Sequence, residues 1–416
     1  MKNREFPVDG LCEPGFEAVQ ESFRKNFKEG WELEGAAFTA YYQGKKVVDI
    51  WGGWAEKRYN RLWREDTLST IFSCTKSISA ICLSILVDRG LCDYSDLITK
   101  HWPEFGQNGK ESITIDMLIA HRSGLAYFDA IYTLADLTDT EKMAKIIEAQ
   151  IPGFPPGTKT AYQALSYGHV IDQLFRRIDS QKRGVGQFFR EEIADKHHID
   201  LHIGDCAQEE GRIARLEDIN QILAAREFAY DKVIALKNAR AFFNPKGNFA
   251  REMKSMRNFG QTFSLYNNPE TRIAGQPAVN GVATARSLAQ VHQLLLEGSL
   301  ISSNSFEKLR HPIFTNEFDN TLGEVMSKGH GFMYTKSPKG DWQFGHSGVG
   351  GQIVKIDPKE ELTFAYLTNA LKAGTGEHVF TLQPFPFQSS TSSDVFLPPL
   401  FLTVAGAQSI FKSWLK

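Results

Sequence analysis

Residues 67–87 read TLSTIFSCTKSISAICLSILV, and this stretch decides the fold. Its start, Thr67 to Phe72, has the β-branched and aromatic content of an extended segment. Beyond it, Ile78, Ala80, Ile81, Leu83, Ile85, Leu86 and Val87 cover nearly all sides of a helix, which predicts a helix buried in the middle of a domain. At the junction stands Ser73-Cys74-Thr75-Lys76. A serine and a lysine three apart share one helix face. In a first turn, the serine also lies beside unpaired backbone N–H groups and the positive end of the macrodipole. A nucleophile, a candidate base and an oxyanion-stabilising field thus meet at one place, which suits acyl transfer.

The spacing by itself is not selective. Ser-x-x-Lys recurs at Ser22/Lys25, Ser305/Lys308, Ser409/Lys412 and Ser413/Lys416. Ser73 differs by context, because a lysine on a core helix is costly unless it has partners or a task. The plainer alternative is an N-cap serine with a lysine whose stem reaches solvent.

Upstream, residues 14–29 put Phe16, Val19, Phe23 and Phe27 on one helix face. Residues 35–43 and 46–54 read as a hairpin around Gly44-Lys45. Downstream lies a long helical middle. Thr114 caps a short helix with Met117 and Leu118, and Thr138 with Glu141 makes a capping box for a helix to about Gln150. The turn residues Pro152 to Gly157 end that stretch. Helices are expected over Leu165–Ile178, near 184–196 and over 215–238, with an irregular Asn/Gly/Phe-rich run at 239–280. Thr284 caps a helix that Gly298 ends. From Gly331 to Asn369, four strands are expected at 331–336, 342–346, 352–357 and 362–368.

Strands therefore flank a helical insert. The expected fold is α+β: one antiparallel sheet from the N-terminal hairpin and the C-terminal meander, covered by the terminal helices. A mostly helical lobe spans about 80–325, and the site lies in the cleft between lobes.

Composition fits an enzyme-sized globular chain of 416 residues with 42% hydrophobic and 23% charged content. A net charge of -2 gives no basic field for nucleic acid. Cys12, Cys74, Cys82, Cys92 and Cys206 show no CxxC or zinc spacing and read as reduced thiols, so a cytoplasmic location is expected. The start, MKNREFPVDG, has no apolar core of a secretory signal, and no apolar run is long enough to span a bilayer.

Two further elements would complete an acyl-transfer site. Tyr162 follows the Pro156-Gly157 turn and precedes a helix. Its phenol could act as a base only if a cation such as Lys76 lowered its pKa; otherwise it is a packing tyrosine. The glycine-dense run Gly345-His346-Ser347-Gly348-Val349-Gly350-Gly351 allows close approach of an acyl group, with an N–H such as that of Val349 joining the N–H of Ser73 in an oxyanion hole. It also reads as a plain tight turn.

In their order, Ser73/Lys76, Tyr162 and His346-Ser347-Gly348 resemble the serine β-lactamase and penicillin-binding-protein superfamily. The segments 47–55, 118–125, 280–288 and 344–348 look like its class C branch. The nearest likeness is to family VIII carboxylesterases and animal β-lactamase-domain proteins, over residues 8–378. The resemblance implies Ser73 as nucleophile, Lys76 as keeper of the proton network and Tyr162 as base and acid. It also implies the N–H groups of Ser73 and Val349 as oxyanion hole, and His346 in the place of the Lys of Lys-Thr-Gly. No metal or organic cofactor is implied.

Two departures bear on substrate. Ala164 stands where Tyr-x-Asn has its amide, and His346 where a lysine would hold a carboxylate. Both favour an ester or an uncharged amide as the small-molecule substrate. The stretch 379–416 is Pro/Ser/Phe-rich, a poor helix former except for Phe401–Lys416, and reads as a divergent tail. His197, His198, Asp200 and His202 lack a complete metal ligand set, and His121-Arg122-Ser123-Gly124 reads as a structural loop facing the cleft. Three functional readings stand: a serine hydrolase of esters or small amides, a carboxylate-recognising lactamase or peptidase, and a non-enzymatic scaffold.

Overall fold

The computed structural model of the chain describes residues 6–232, 236, 244, 246–255 and 262–374. Strand β1 (Val8–Cys12) and helix α1 (Glu17–Lys28) precede the hairpin of β2 (Gly35–Tyr42) and β3 (Lys45–Glu56). The hairpin turns at Gln43 and Gly44, with φ of 48° and 78°, the doubly left-handed turn whose twist matches two antiparallel strands. The two-residue strand β4 (Arg61–Leu62) pairs with β3. Short strands β5 (Ser69–Thr70), β6 (Leu201–His202) and β7 (Val282–Ala283) form a separate sheet in the order β5-β7-β6.

The meander then follows as β8 (Phe314–Asp319), β9 (Glu324–Gly329), β10 (Phe332–Lys336), β11 (Trp342–Ser347), β12 (Ile353–Asp357) and β13 (Leu362–Thr368). The main sheet runs β1-β3-β2-β13-β12-β11-β10-β9-β8. The expected junction of hairpin and meander is the antiparallel β2·β13 pair, with Tyr42 opposite Leu362 and Ala36 opposite Thr368.

Alternation along these strands gives the sheet two buried faces. On one, Phe16, just before α1, and Val19, Phe23 and Phe27 of α1 meet Phe38, Ile50, Phe364 and Tyr366. On the other, Ala37, Val354, Ala365 and Leu367 join the large core built around helix α2 (Thr75–Asp88). Burial of each large apolar side chain stabilises by roughly 1.5–3 kcal/mol. In α2, every residue from Thr75 to Leu86 is buried, so the apolar stretch that opened the reading is the central helix.

Several expectations shift. Among the described residues, the second face is covered by the internal helix Ala285–Leu296. Thr284 caps it as expected, accepting from Ser287 N–H, and Gly298 follows it with φ 80°. The helix Thr140–Ala149 is capped by Asp139, whose side chain accepts from Lys142 N–H. The capping box belongs instead to Thr133 and Asp136, one short helix earlier. The helix expected over 215–238 is confined, among the described residues, chiefly to Gln221–Tyr230, because Glu217 bridges the chain to Asn369 and Leu371 through backbone bonds. The run expected to be irregular contains helix Asn248–Ser255. The stretch 379–416, expected to be a divergent tail, lies outside the described residues. No described helix is long and apolar enough to cross a membrane.

Candidate active site

The chain enters the site through an unusual residue. Phe72, just before Ser73, has φ 43°, a left-handed conformation that costs a side-chain-bearing residue roughly 1–3 kcal/mol. Packing holds it there: the Phe72 ring lies edge-on to Tyr266 at 5.4 Å and to Phe263 at 6.0 Å. The Thr75 hydroxyl donates to the Phe72 carbonyl at 2.6 Å. Ser73 thereby sits in the one-turn 3-10 helix Phe72–Cys74 that feeds α2.

One turn on, Lys76 is fully buried. Its Nζ donates to the carbonyls of Ala164 (2.7 Å) and Ala278 (3.0 Å), and lies 3.2 Å from Ser73 Oγ. Two carbonyls take two N–H bonds, and the remaining tetrahedral direction faces the hydroxyl. In a neutral amine that direction is the lone pair. Burial, against the opposing pull of Glu252 and Cys74, brings Lys76 from 10.5 down to about 7.

Tyr162 joins this pair. Its ring centroid is 4.9 Å from Lys76 Nζ, and the Ser73 side chain is near enough to act on the phenol's ionisation. Lys76 does not make it acidic. Burial dominates and drives the phenol well above its ordinary range, with Ser73 a smaller opposing influence. The Lys76 amine is close by as expected, but desolvation decides the outcome.

The end of β11 closes the site from the sheet side. Cys74 Sγ donates to the His346 carbonyl at 3.3 Å, and the thiol itself is raised by burial. A Cβ on Gly348 would stand 2.7 Å from the Ile71 carbonyl, so glycine lets the strand end touch the turn that carries Ser73. The His346 ring lies 6.1 Å from that of Tyr162. Burial, and secondarily the Lys76 charge, hold its pKa down at about 3, so the imidazole is neutral. His346 Nδ1 lies 2.7 Å from the Ser347 carbonyl, which places the proton on Nδ1. His346 Nε2 and Ser347 Oγ are buried without partners among the described residues. Val349 borders an apolar cluster of Phe72, Leu165, Leu216, Tyr266 and Leu371, with Ala164 and Phe263 at its edge.

The sequence reading missed Lys328, Asp319 and Glu252 here, and gave His121 only a place in a structural loop facing the cleft. Lys328 and Asp319 form a buried ion pair, and Asp319 Oδ1 accepts the Tyr162 N–H at 3.1 Å. His121, φ 61°, brackets the same residue: its carbonyl accepts from Ala161 N–H at 2.9 Å and its Nδ1 from Gln163 N–H at 3.2 Å. Glu252 binds the N–H groups of Leu165 and Ser166. Their contacts with Tyr162, Gln163 and Leu165 give no local signal, because those partners lie 157, 42 and 87 residues away in the chain. In the histidine-rich run, Asp200 is taken by Arg212 and His202. No cluster of potential metal ligands occurs among the described residues.

The Beta-lactamase family model matches residues 23–381. The esterase/beta-lactamase LipL of Mycobacterium tuberculosis (strain ATCC 25618 / H37Rv) is 31% identical over 377 residues, 88% of this chain and 83% of LipL. A family VIII carboxylesterase superposes with TM-score 0.76 at 30% identity, covering 88% of this chain and 94% of its own. A penicillin-binding-protein homologue from Caulobacter crescentus gives 0.73 at 30% identity, covering 88% and 95%. The chain belongs to the Beta-lactamase family, within the serine β-lactamase and penicillin-binding-protein superfamily of serine hydrolases.

Proposed function

We propose that this chain cleaves esters or small uncharged amides through an acyl-enzyme on Ser73. The observation that carries the reading is the coordination of Lys76 Nζ, two carbonyls and the Ser73 hydroxyl. Neutral Lys76 takes the Ser73 proton as Oγ bonds to the acyl carbon. The Ser73 and Val349 N–H groups face the oxyanion. The tetrahedral adduct collapses, its bond to the leaving group breaks, and the Tyr162 hydroxyl gives that group its proton. Lys76 returns a proton to Tyr162. Water then repeats the sequence on the acyl-enzyme and frees the acid. Tyr162 thus serves as donor and relay, since burial keeps it protonated, and Lys76 is the base.

Substrate preference follows from the walls. The neutral His346, the methyl of Ala164 and the apolar cluster around Phe72, Leu371 and Val349 suit an uncharged, apolar acyl or alcohol group. A carboxylate would need a free cation. Lys76 is bonded on three sides, and Lys328 is paired with Asp319. Residues 8–378 are the proposed catalytic unit, with 379–416 as a divergent tail. The free thiols Cys12, Cys74, Cys82, Cys92 and Cys206 support a cytoplasmic setting.

The test is direct. A fluorophosphonate should label Ser73, and Ser73→Ala should abolish labelling. p-Nitrophenyl esters should be turned over in preference to a chromogenic cephalosporin. An unlabelled wild type supports the scaffold alternative, and preference for the cephalosporin supports a carboxylate-recognising lactamase.

A further inference from the structure

Glu252 is a buried carboxylate that no step above uses. It sits on helix Asn248–Ser255 and is 1% exposed. Its Oε1 accepts the N–H groups of Leu165 (2.7 Å) and Ser166 (2.9 Å) at the start of helix Ser166–Ile178. Its Oε2 has no partner among the described residues.

The Leu165 N–H belongs to the same peptide unit as the Ala164 carbonyl, and that carbonyl accepts from Lys76 at 2.7 Å. A trans peptide is planar, with its C=O and N–H pointing in opposite directions. One peptide therefore carries the Lys76 amine on its oxygen and a carboxylate on its N–H. The two hydrogen bonds polarise each other in a low-dielectric interior. The methyl of Ala164 contributes no polar atom to this junction. We propose that Glu252 is a positioning residue of the acyl-transfer centre: it fixes the Ala164–Leu165 peptide against Lys76 and, through that peptide, supplies the countercharge when Lys76 takes the Ser73 proton. This rests on the acyl-transfer reading above.

The surroundings leave these two groups to titrate alone near neutrality. Burial brings Lys76 down to about 7 and Glu252 up to about 7, while each charge draws the other group partly back. Facing Lys76, Cys74 is raised by burial, and the Tyr162 and Tyr167 phenols likewise. The His121 and His346 imidazoles are lowered by burial and stay neutral. Facing Glu252, the Tyr132 and Tyr266 phenols are raised by burial and by the carboxylate itself. Beyond Tyr162 lies Lys328, already paired with Asp319.

The step balances simply. The Ser73 proton moves to Lys76, the Oγ–acyl bond forms, and the new ammonium is opposed by the ionised Glu252. Without that charge, Lys76 holds its proton less firmly. Its neutral form then persists to lower pH, but the ammonium formed during reaction is less stabilised.

Glu252→Gln keeps an oxygen for the Leu165 and Ser166 N–H groups and removes the charge. The pH profile of kcat/KM on a p-nitrophenyl ester should show the acid limb moved down by roughly one pH unit, and the plateau of kcat lowered by about tenfold. Glu252→Ala should move the limb the same way and lower kcat further. Fluorophosphonate labelling of each variant counts folded sites. A labelled E252Q with the wild-type limb overturns the proposal, as does failure of both variants to fold, since Glu252 would then serve the fold alone. A wild type that is not labelled at Ser73 fails the acyl-transfer reading instead.

Discussion

At the scale of single residues, the proposed mechanism divides the proton work between Lys76 and Tyr162. The folded pKa of Lys76 is pulled down by burial to about 7, so its basic form accumulates as pH rises through that value. Wild-type kcat/KM should therefore climb through an acid limb near pH 7. His346→Gln should leave that limb in place, because the imidazole titrates at about 3; a pH–rate profile of the variant checks both. Tyr162→Phe removes the leaving-group proton while keeping the ring against His121 at 4.7 Å. Ester turnover should fall by about 10²–10⁴-fold with thermal stability nearly unchanged. The Ser73/Lys76 pair was legible because the proposed nucleophile and base lie three residues apart, within one helical turn. Tyr162 and His346 were legible only as short motifs in a fixed order. Glu252 was not, since its meaning comes from a peptide some ninety residues upstream in the chain.

Among elements, the decisive junction is where β11 meets the turn before α2. Gly348→Ala would force a methyl against the Ile71 carbonyl, 2.7 Å away. We expect slower fluorophosphonate labelling of Ser73 out of proportion to any loss in melting temperature. The β8·β9 pair holds Tyr162 from the other side through Asp319 and Lys328. Lys328→Met should destabilise by roughly 3–5 kcal/mol, because it strands a buried carboxylate. Adding Asp319→Asn should recover part of that loss, as urea denaturation of the single and double variants would measure. Sequence patterning located the last four strands because they are apolar and bounded by turns. It missed β8 and β9, whose FTNEFD and EVMSKG are polar and half exposed. It likewise assigned the capping box to Thr138, since two overlapping cap signals lie within seven residues and only packing selects between them.

For the whole molecule, closure depends on Asn369. Its Oδ1 accepts the Gly35 N–H at 2.8 Å, and its Nδ2 donates to the carbonyls of Trp54, Ala55 and Arg215 at 3.1, 3.1 and 2.9 Å. Asn369→Ala orphans several buried groups at about 1–3 kcal/mol each, so the urea midpoint should fall sharply with little change in slope. The sheet's composition from both ends of the chain was legible in the hairpin and meander patterns. This junction was not, because one asparagine at a strand end looks like any turn residue. The seam also orders events during synthesis. Gly35 meets its partner 334 residues later, so the hairpin leaves the ribosome long before β13 exists. Until then, β2 offers an unpaired edge beside the apolar rings of Phe38 and Phe23. A nascent chain stalled before β13 is therefore a candidate client for holding chaperones, whereas one released past residue 374 can seal that edge by itself.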